Sequence, residues 1–131
     1  MKGVTIYKAE IAHKDKRRTI MPICNGTFTA RQMKIIEVKK GNTLGNHYHK
    51  YGEIRYLQKG KAKYFLKNMV TEEEFTFTMT KGWVMITEPW IAHTATFTED
   101  STMIEGTEEE YISAEHNDIV HIYREGKWSS T

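Results

Sequence analysis

Short runs of alternating apolar and polar residues, each closed by glycine or a polar turn, recur along nearly the whole of this chain. Runs such as Gln32–Lys39, Lys61–Lys67 and Glu74–Met79 send successive side chains to opposite faces, the period-two pattern of a half-buried strand. The same reading predicts strands over Val4–Ile11, Gly26–Ala30, Gly45–His49, Ile54–Lys59, Trp83–Ile86, His93–Thr98 and Thr102–Gly106. Turns are expected at Lys40–Thr43, Lys50–Gly52, Lys59–Gly60, Asn68–Glu73, Lys81–Gly82 and Glu99–Ser101. Helical periodicity is scarce. Strands this short and this numerous must pair as a sandwich or a barrel, so the expected class is all-β. Past Gly106, Tyr111, Ile112, Ile119, Val120, Ile122 and Tyr123 suit a short helix and a final strand, with the last few residues frayed.

A length of 131 residues fits one domain, and neither a linker nor a repeat divides it. The net charge of +2 and five scattered arginines give no basic stripe, so nucleic acid is not expected as a partner. The acidic runs Glu72–Glu74 and Glu108–Glu110 read as solvated turns or strand ends. Cys24 is the single cysteine. It excludes an internal disulfide and a thiolate zinc site, and nothing near it in sequence would activate it as a nucleophile. The first residues lack the apolar core of a signal peptide, and no window holds the ~18 apolar residues needed to cross a bilayer. A cytoplasmic protein without membrane contact is expected.

The chemistry concentrates in Gly41–Gly60, GNTLGNHYHKYGEIRYLQKG. On a strand His47 and His49 project to one face, roughly 6–7 Å apart at Cα, a spacing that lets two imidazoles grip one ion. Gly52 in the following bend is free to take a positive φ. A hairpin there would return Glu53 beside the histidines. Two imidazoles and a carboxylate are donors that divalent first-row metals accept. Taken alone, the pair could equally be two exposed strand histidines. His13, His116 and His121 lack such spacing and read as surface residues.

The run resembles the first motif of the cupin superfamily, G-x5-H-x-H-x3,4-E-x6-G, which Gly41, His47, His49, Glu53 and Gly60 meet at every fixed position. The second motif, G-x5-P-x-G-x2-H-x3-N, is met by Gly82 and His93. Glu88, Trp90 and Phe97 stand at its proline, glycine and asparagine positions, with Pro89 one place late. The resemblance covers residues 33–106. It implies a cupin jelly-roll β-barrel with a short C-terminal extension, residues 1–30 and 107–131 packing on the core. It also implies His47, His49, Glu53 and His93 as ligands of a divalent transition metal (Zn, Fe, Mn or Ni). Three histidines and one carboxylate leave coordination positions open for substrate. Small cupins commonly dimerise, which implies a homodimer here, and Val4–Ile6 is a candidate edge for strand exchange.

Alternation then sorts the pocket. Arg55 and Leu57 share the inward face of Glu53, while Ile54 and Tyr56 point away. His93, Ala95 and Phe97 face inward together. A buried guanidinium needs an anion. Arg55 is therefore either the partner of a substrate carboxylate or phosphate, or a salt bridge to an internal carboxylate such as Glu37 or Glu105. Tyr51, in the bend, could reach the pocket mouth as acid, base or donor. Trp90 could stack on a sugar, cover the barrel end or line a dimer seam.

The run GNHYHK is similar to cupins that act on nucleotide-activated sugars, the sugar 3,4-ketoisomerases and the C-terminal cupin domains of capsular-sugar biosynthesis proteins. HKDKRR loosely resembles their early Asp-x-Arg-Gly element, although no glycine follows Arg17 or Arg18. Those ketoisomerases carry arginine where Leu44 stands and use their histidines as acid and base. The complete ligand set here points instead to a metal. The expected function is a metal-binding cupin acting on a small polar molecule, a sugar or nucleotide-sugar isomerase or epimerase. The alternatives are a non-haem iron cupin dioxygenase and a small-molecule-binding cupin without catalysis.

Overall fold

The computed structural model describes residues 1–131 and is built almost wholly of strands. In chain order these are β1 (Val4–Lys8), β2 (His13–Lys14), β3 (Thr19–Ile20), β4 (Gln32–Val38), β5 (Thr43–Tyr48), β6 (Glu53–Lys59) and β7 (Lys61–Asn68). There follow β8 (Glu74–Thr80), β9 (Trp83–Thr87), β10 (Ile91–Phe97), β11 (Ser101–Thr107), the one-turn helix α1 (Ala114–Asn117), β12 (Ile119–Val120), β13 (Ile122–Arg124) and β14 (Lys127–Ser129). Two five-stranded antiparallel sheets result, ordered β1-β9-β6-β11-β4 and β12-β5-β10-β7-β8. No strand pair bridges them, so the expected barrel is two facing sheets without hydrogen-bonded closure.

The core fills the space between the sheets. Leu57, Met85 and Met103 from the first meet Ala62, Leu66, Met79 and Phe97 from the second. Strand β7 alternates exposed and buried along its length, as its sequence alternation requires. Strand β6 is instead buried from Glu53 through Leu57. Its inward side chains meet the core and the pocket. Its outward Ile54 and Tyr56 are covered by Ile23, Cys24 and Phe28 from the excursion between β1 and β4. Full burial of such apolar side chains contributes about 1.5–3 kcal/mol each.

The departures from the sequence reading are local. Gly26–Ala30 is not a strand but a loop whose Phe28 packs on the first sheet. The polar HKDKRR segment forms the tip of the β2–β3 hairpin, where Asp15 accepts the backbone N–H groups of Arg17 (2.8 Å) and Arg18 (3.0 Å). The C-terminal segment carries regular structure as far as Ser129. β13 and β14 form a hairpin whose central residues Glu125 and Gly126 both have positive φ, as tight hairpin turns require. It lies on the outer face of the second sheet, with Tyr123 stacked on Phe65 at 4.2 Å. His121, read as a surface residue, is buried there against Trp128. No helix is long and apolar enough to cross a membrane.

Candidate functional site

Between β5 and β10 the ladder slips by one residue beside His47. His93 pairs with His47 and Thr94 with Gly45, leaving Asn46 as the extra residue of a β-bulge. Gly45 (φ 107°) and Asn46 (φ 60°) both lie at positive φ. A Cβ on Gly45 would stand 2.5 Å from the carbonyl oxygen of His93, so only glycine fits. The bulge turns His47 into the space between the sheets, with its ring 4.7 Å from that of His93 and 4.6 Å from that of His49.

Glu53 arrives by another route than the expected hairpin. β5 and β6 belong to different sheets, so Lys50–Gly52 carries the chain across the sandwich and Glu53 faces the histidines from the opposite wall. Gly52, though free to take a positive φ, does not. A Cβ there would meet the Thr87 carbonyl oxygen at 3.2 Å and the movable end of Glu108, whose carboxylate accepts the Gly52 N–H.

The three expected histidine ligands come together, while Glu53 stays outside their cluster. His47, His49 and His93 each offer a ring nitrogen, all within 4.8 Å of one another. Imidazoles so gathered fit a divalent ion by donor type. The fourth, Glu53, is already engaged. One oxygen lies 2.6 Å from His49 Nε2, and the other accepts from Arg55 Nη2 at 2.5 Å. Burial pushes the Glu53 carboxyl up, but Arg55, His93 and His49 outweigh it and hold the group well below the usual carboxylate range. An ionised carboxylate can only accept, and His49 Nδ1 already donates to the Asn117 carbonyl at 3.0 Å. Its Nε2 faces Glu53 Oε1, a buried oxygen that no donor meets in hydrogen-bond geometry. Although burial opposes the charge, the Glu53 carboxylate beside it raises the pKa of His49.

The other two histidines go the opposite way. Burial, reinforced by the charge on His49, lowers His47. Burial, reinforced by Arg55, lowers His93 well below its usual value. His93 Nδ1 donates to the Ile91 carbonyl at 3.1 Å, which fixes its neutral tautomer. His47 Nδ1 lies 3.2 Å from Asp118 Oδ2, leaving Nε2 free to act as a base. His49 is thus raised while His47 and His93 are lowered, a separation of the kind that assigns acid and base roles.

Arg55 is 1% exposed. Its guanidinium is held by Glu53, by Thr87 Oγ1 at 3.1 Å and by Glu105 at 3.6 Å, so the internal salt bridge is the arrangement found; of the two carboxylates anticipated, Glu105 takes part and Glu37 is exposed. Tyr51 stacks on His49 at 4.7 Å, its oxygen accepting from Asn117 Nδ2 at 3.3 Å. Burial, with Glu53 nearby, pushes the Tyr51 phenol far up, which makes it a donor rather than a base. Trp90 takes the glycine position of the second motif at φ 70°, and its ring lies 5.8 Å from Tyr48. The cavity among these groups measures about 150 Å³ and is closed on one side by Phe97, Ala95 and Met103. That is below the roughly 300–1,000 Å³ of sites that enclose a drug-sized molecule.

Sequence reasoning missed the contribution of the C-terminal segment. Asp118, beside His47 and His49, also accepts from the Tyr111 hydroxyl at 3.1 Å. β12 brings it there by pairing Ile119 with Tyr48 and Val120 with His47. No spacing rule links residues some seventy positions apart.

No family model matches the sequence, and no curated protein matches it. Solved structures do. A double mutant of the QdtA 3,4-ketoisomerase from Thermoanaerobacterium thermosaccharolyticum, in complex with TDP, is 25% identical, with a TM-score of 0.73 over 91% of this chain and 88% of that one. A second QdtA mutant from that organism, in complex with TDP-4-keto-6-deoxyglucose, is 21% identical, with a TM-score of 0.71 over 87% and 86%. The dTDP-4-dehydrorhamnose 3,5-epimerase of Sulfolobus tokodaii is 17% identical, with a TM-score of 0.79 over 94% and 79%. The chain has the cupin fold. Both histidines of the first motif in this cupin, and the histidine of the second, face one cavity.

Proposed function

We propose that this cupin is an isomerase or epimerase that relocates a proton on the ring of a nucleotide-activated keto-sugar. The observation that carries the reading is His47, its Nδ1 beside Asp118 and its Nε2 left free, next to His49, whose Nε2 faces the Glu53 carboxylate. His47 Nε2 takes the proton from the carbon next to the ketone. The C–H electrons become a C=C bond, and the carbonyl oxygen gains the charge. Tyr51, keeping its own proton, donates a hydrogen bond to that oxygen, and the His49 and Arg55 cations offset its charge. Returning the proton to the same carbon from the other face inverts it. Passing the neighbouring hydroxyl proton to the enolate oxygen and returning the carbon proton to the former carbonyl carbon moves the ketone along the ring. No oxidant is needed. The small cavity suits one sugar ring, with the nucleotide lying outside. The likeness to 3,4-ketoisomerases supports the substrate class.

The test is incubation with TDP-4-keto-6-deoxyglucose in deuterium oxide. Deuterium is expected at the ring carbon beside the carbonyl, and His47→Gln should slow its entry on the order of 10²–10⁴-fold. No incorporation by the wild type would count against the reading.

The gathering of three imidazole nitrogens favours a second reading, in which His47, His49 and His93 hold a Zn, Fe, Mn or Ni ion. Bound there, the ion would polarise the ketone oxygen. Elemental analysis beside a His47→Ala/His93→Ala variant decides it: near-stoichiometric metal lost in the variant supports it, and none after reloading rejects it. We also read the protein as a homodimer. Met33 and Ile35, on the edge strand β4, are 65% and 70% exposed.

A further inference from the structure

Three charged residues stand side by side across the first sheet on the cavity wall. Arg55 of β6 pairs with Glu105 of β11, and Glu105 pairs with Lys34 of β4. Arg55 gives its hydrogen bonds to Glu53 and Thr87 and meets Glu105 only as a longer ion pair. The Glu105 side chain is 15% exposed, and its nearest cations, Arg55 Nε and Lys34 Nζ, lie at 3.6 and 3.8 Å, beyond hydrogen-bond range. Lys34 Nζ is held 4.5 Å above the Tyr111 ring. The Glu105 carboxylate borders the cavity, is reached by solvent there and takes no hydrogen bond from a protein donor. An acceptor and a donor this close match a single hydroxyl, which donates to one and accepts from the other.

We infer that Glu105 and Lys34 bind the sugar 2-hydroxyl and select substrates that carry it. The inference rests on the proposed reading. In a 4-keto-6-deoxy sugar joined to a nucleotide through carbon 1, the free hydroxyls are on carbons 2 and 3. Carbon 3 gives up its proton and must sit at His47, which leaves the 2-hydroxyl for the other wall.

The experiment compares TDP-4-keto-6-deoxyglucose with its 2-deoxy analogue, by calorimetric binding and by deuterium incorporation, in the wild type, Glu105→Gln and Lys34→Met. The wild type is expected to prefer the hydroxylated compound on the order of 10³-fold or more in kcat/KM, as sites built around a substrate hydroxyl do. Each variant should reduce that ratio below about tenfold, chiefly through loss of rate on the hydroxylated compound. A purely structural role for the pair would lower both rates together. Turnover without discrimination overturns the inference alone. Discrimination in binding without turnover upholds it and overturns the proposed activity. Failure of the wild type to bind either compound overturns both.

Discussion

Glu53 joins His49 to Arg55, and both partners are nearly inaccessible to solvent. Glu53→Gln keeps the shape but leaves the guanidinium without its main counter-charge. Breaking a buried pair from one side typically costs about 3–5 kcal/mol. Urea unfolding should show a loss of that order, and the His49 pKa, followed by NMR, should fall in the variant. The separated histidines also set a pH profile. His47 is lowered, so it takes up a proton, and ceases to be a base, only below the usual value near 6.5. His49 is raised, so it loses its charge only above that value. The proposed activity should therefore trace a bell in kcat/KM whose limbs fall on either side of pH 6.5, the acid limb from His47 and the alkaline limb from His49. Tyr51 is pushed too high to supply either limb. The ligand-type residues and their spacing were legible in the sequence. Their protonation was not, because it depends on what each ring touches.

Two elements hold the site in register. The bulge in β5 depends on Gly45, where a Cβ would meet the His93 backbone and φ is positive. Gly45→Ala is expected to lower stability by about 1–3 kcal/mol and to separate His47 from His93, so thermal melting and His47 reactivity should fall together. The C-terminal hairpin is the second element. His121 N–H donates to the Asn46 carbonyl at 3.0 Å, tying the hairpin to the bulge. Its ring stacks on Trp128, with Tyr48 alongside. Burial, then the nearby Lys67, lowers the His121 pKa. The unfolded chain thus takes up this proton at a higher pH than the folded one. The contribution is fully present above about pH 6.5 and is lost as pH falls towards the lowered value. His121→Phe should lessen the fall in stability between pH 7.5 and 5.5, read from urea midpoints; an unchanged fall assigns it to His47 and His93. Alternation found β4 and β6 to β11 to within a few residues. It could not find β12 or the bulge, since two-residue strands and one-residue slips carry no period.

At the scale of the molecule, two sheets face each other and the site lies between them. The edge strand β1 pairs with β9 of its own chain and keeps one free edge. The other edge of that sheet, β4, carries the exposed Met33 and Ile35. Sedimentation should give a dimer for the wild type and a monomer for Met33→Glu/Ile35→Lys. A dimer in both would move the interface away from β4.

The sequence by itself determined the β class, the inward face of β6 and β10, and the identity of the histidines and Glu53. Those follow from a period of two and from donor chemistry, both local properties. Tertiary structure alone decided that Glu53 answers His49 from the opposite sheet and that Arg55 is held by protein carboxylates. It also decided that Asp118 arrives from the far end of the chain. Each of these joins residues from strands in different sheets or from distant segments, where the energy of a charge depends on its neighbours in space rather than in sequence.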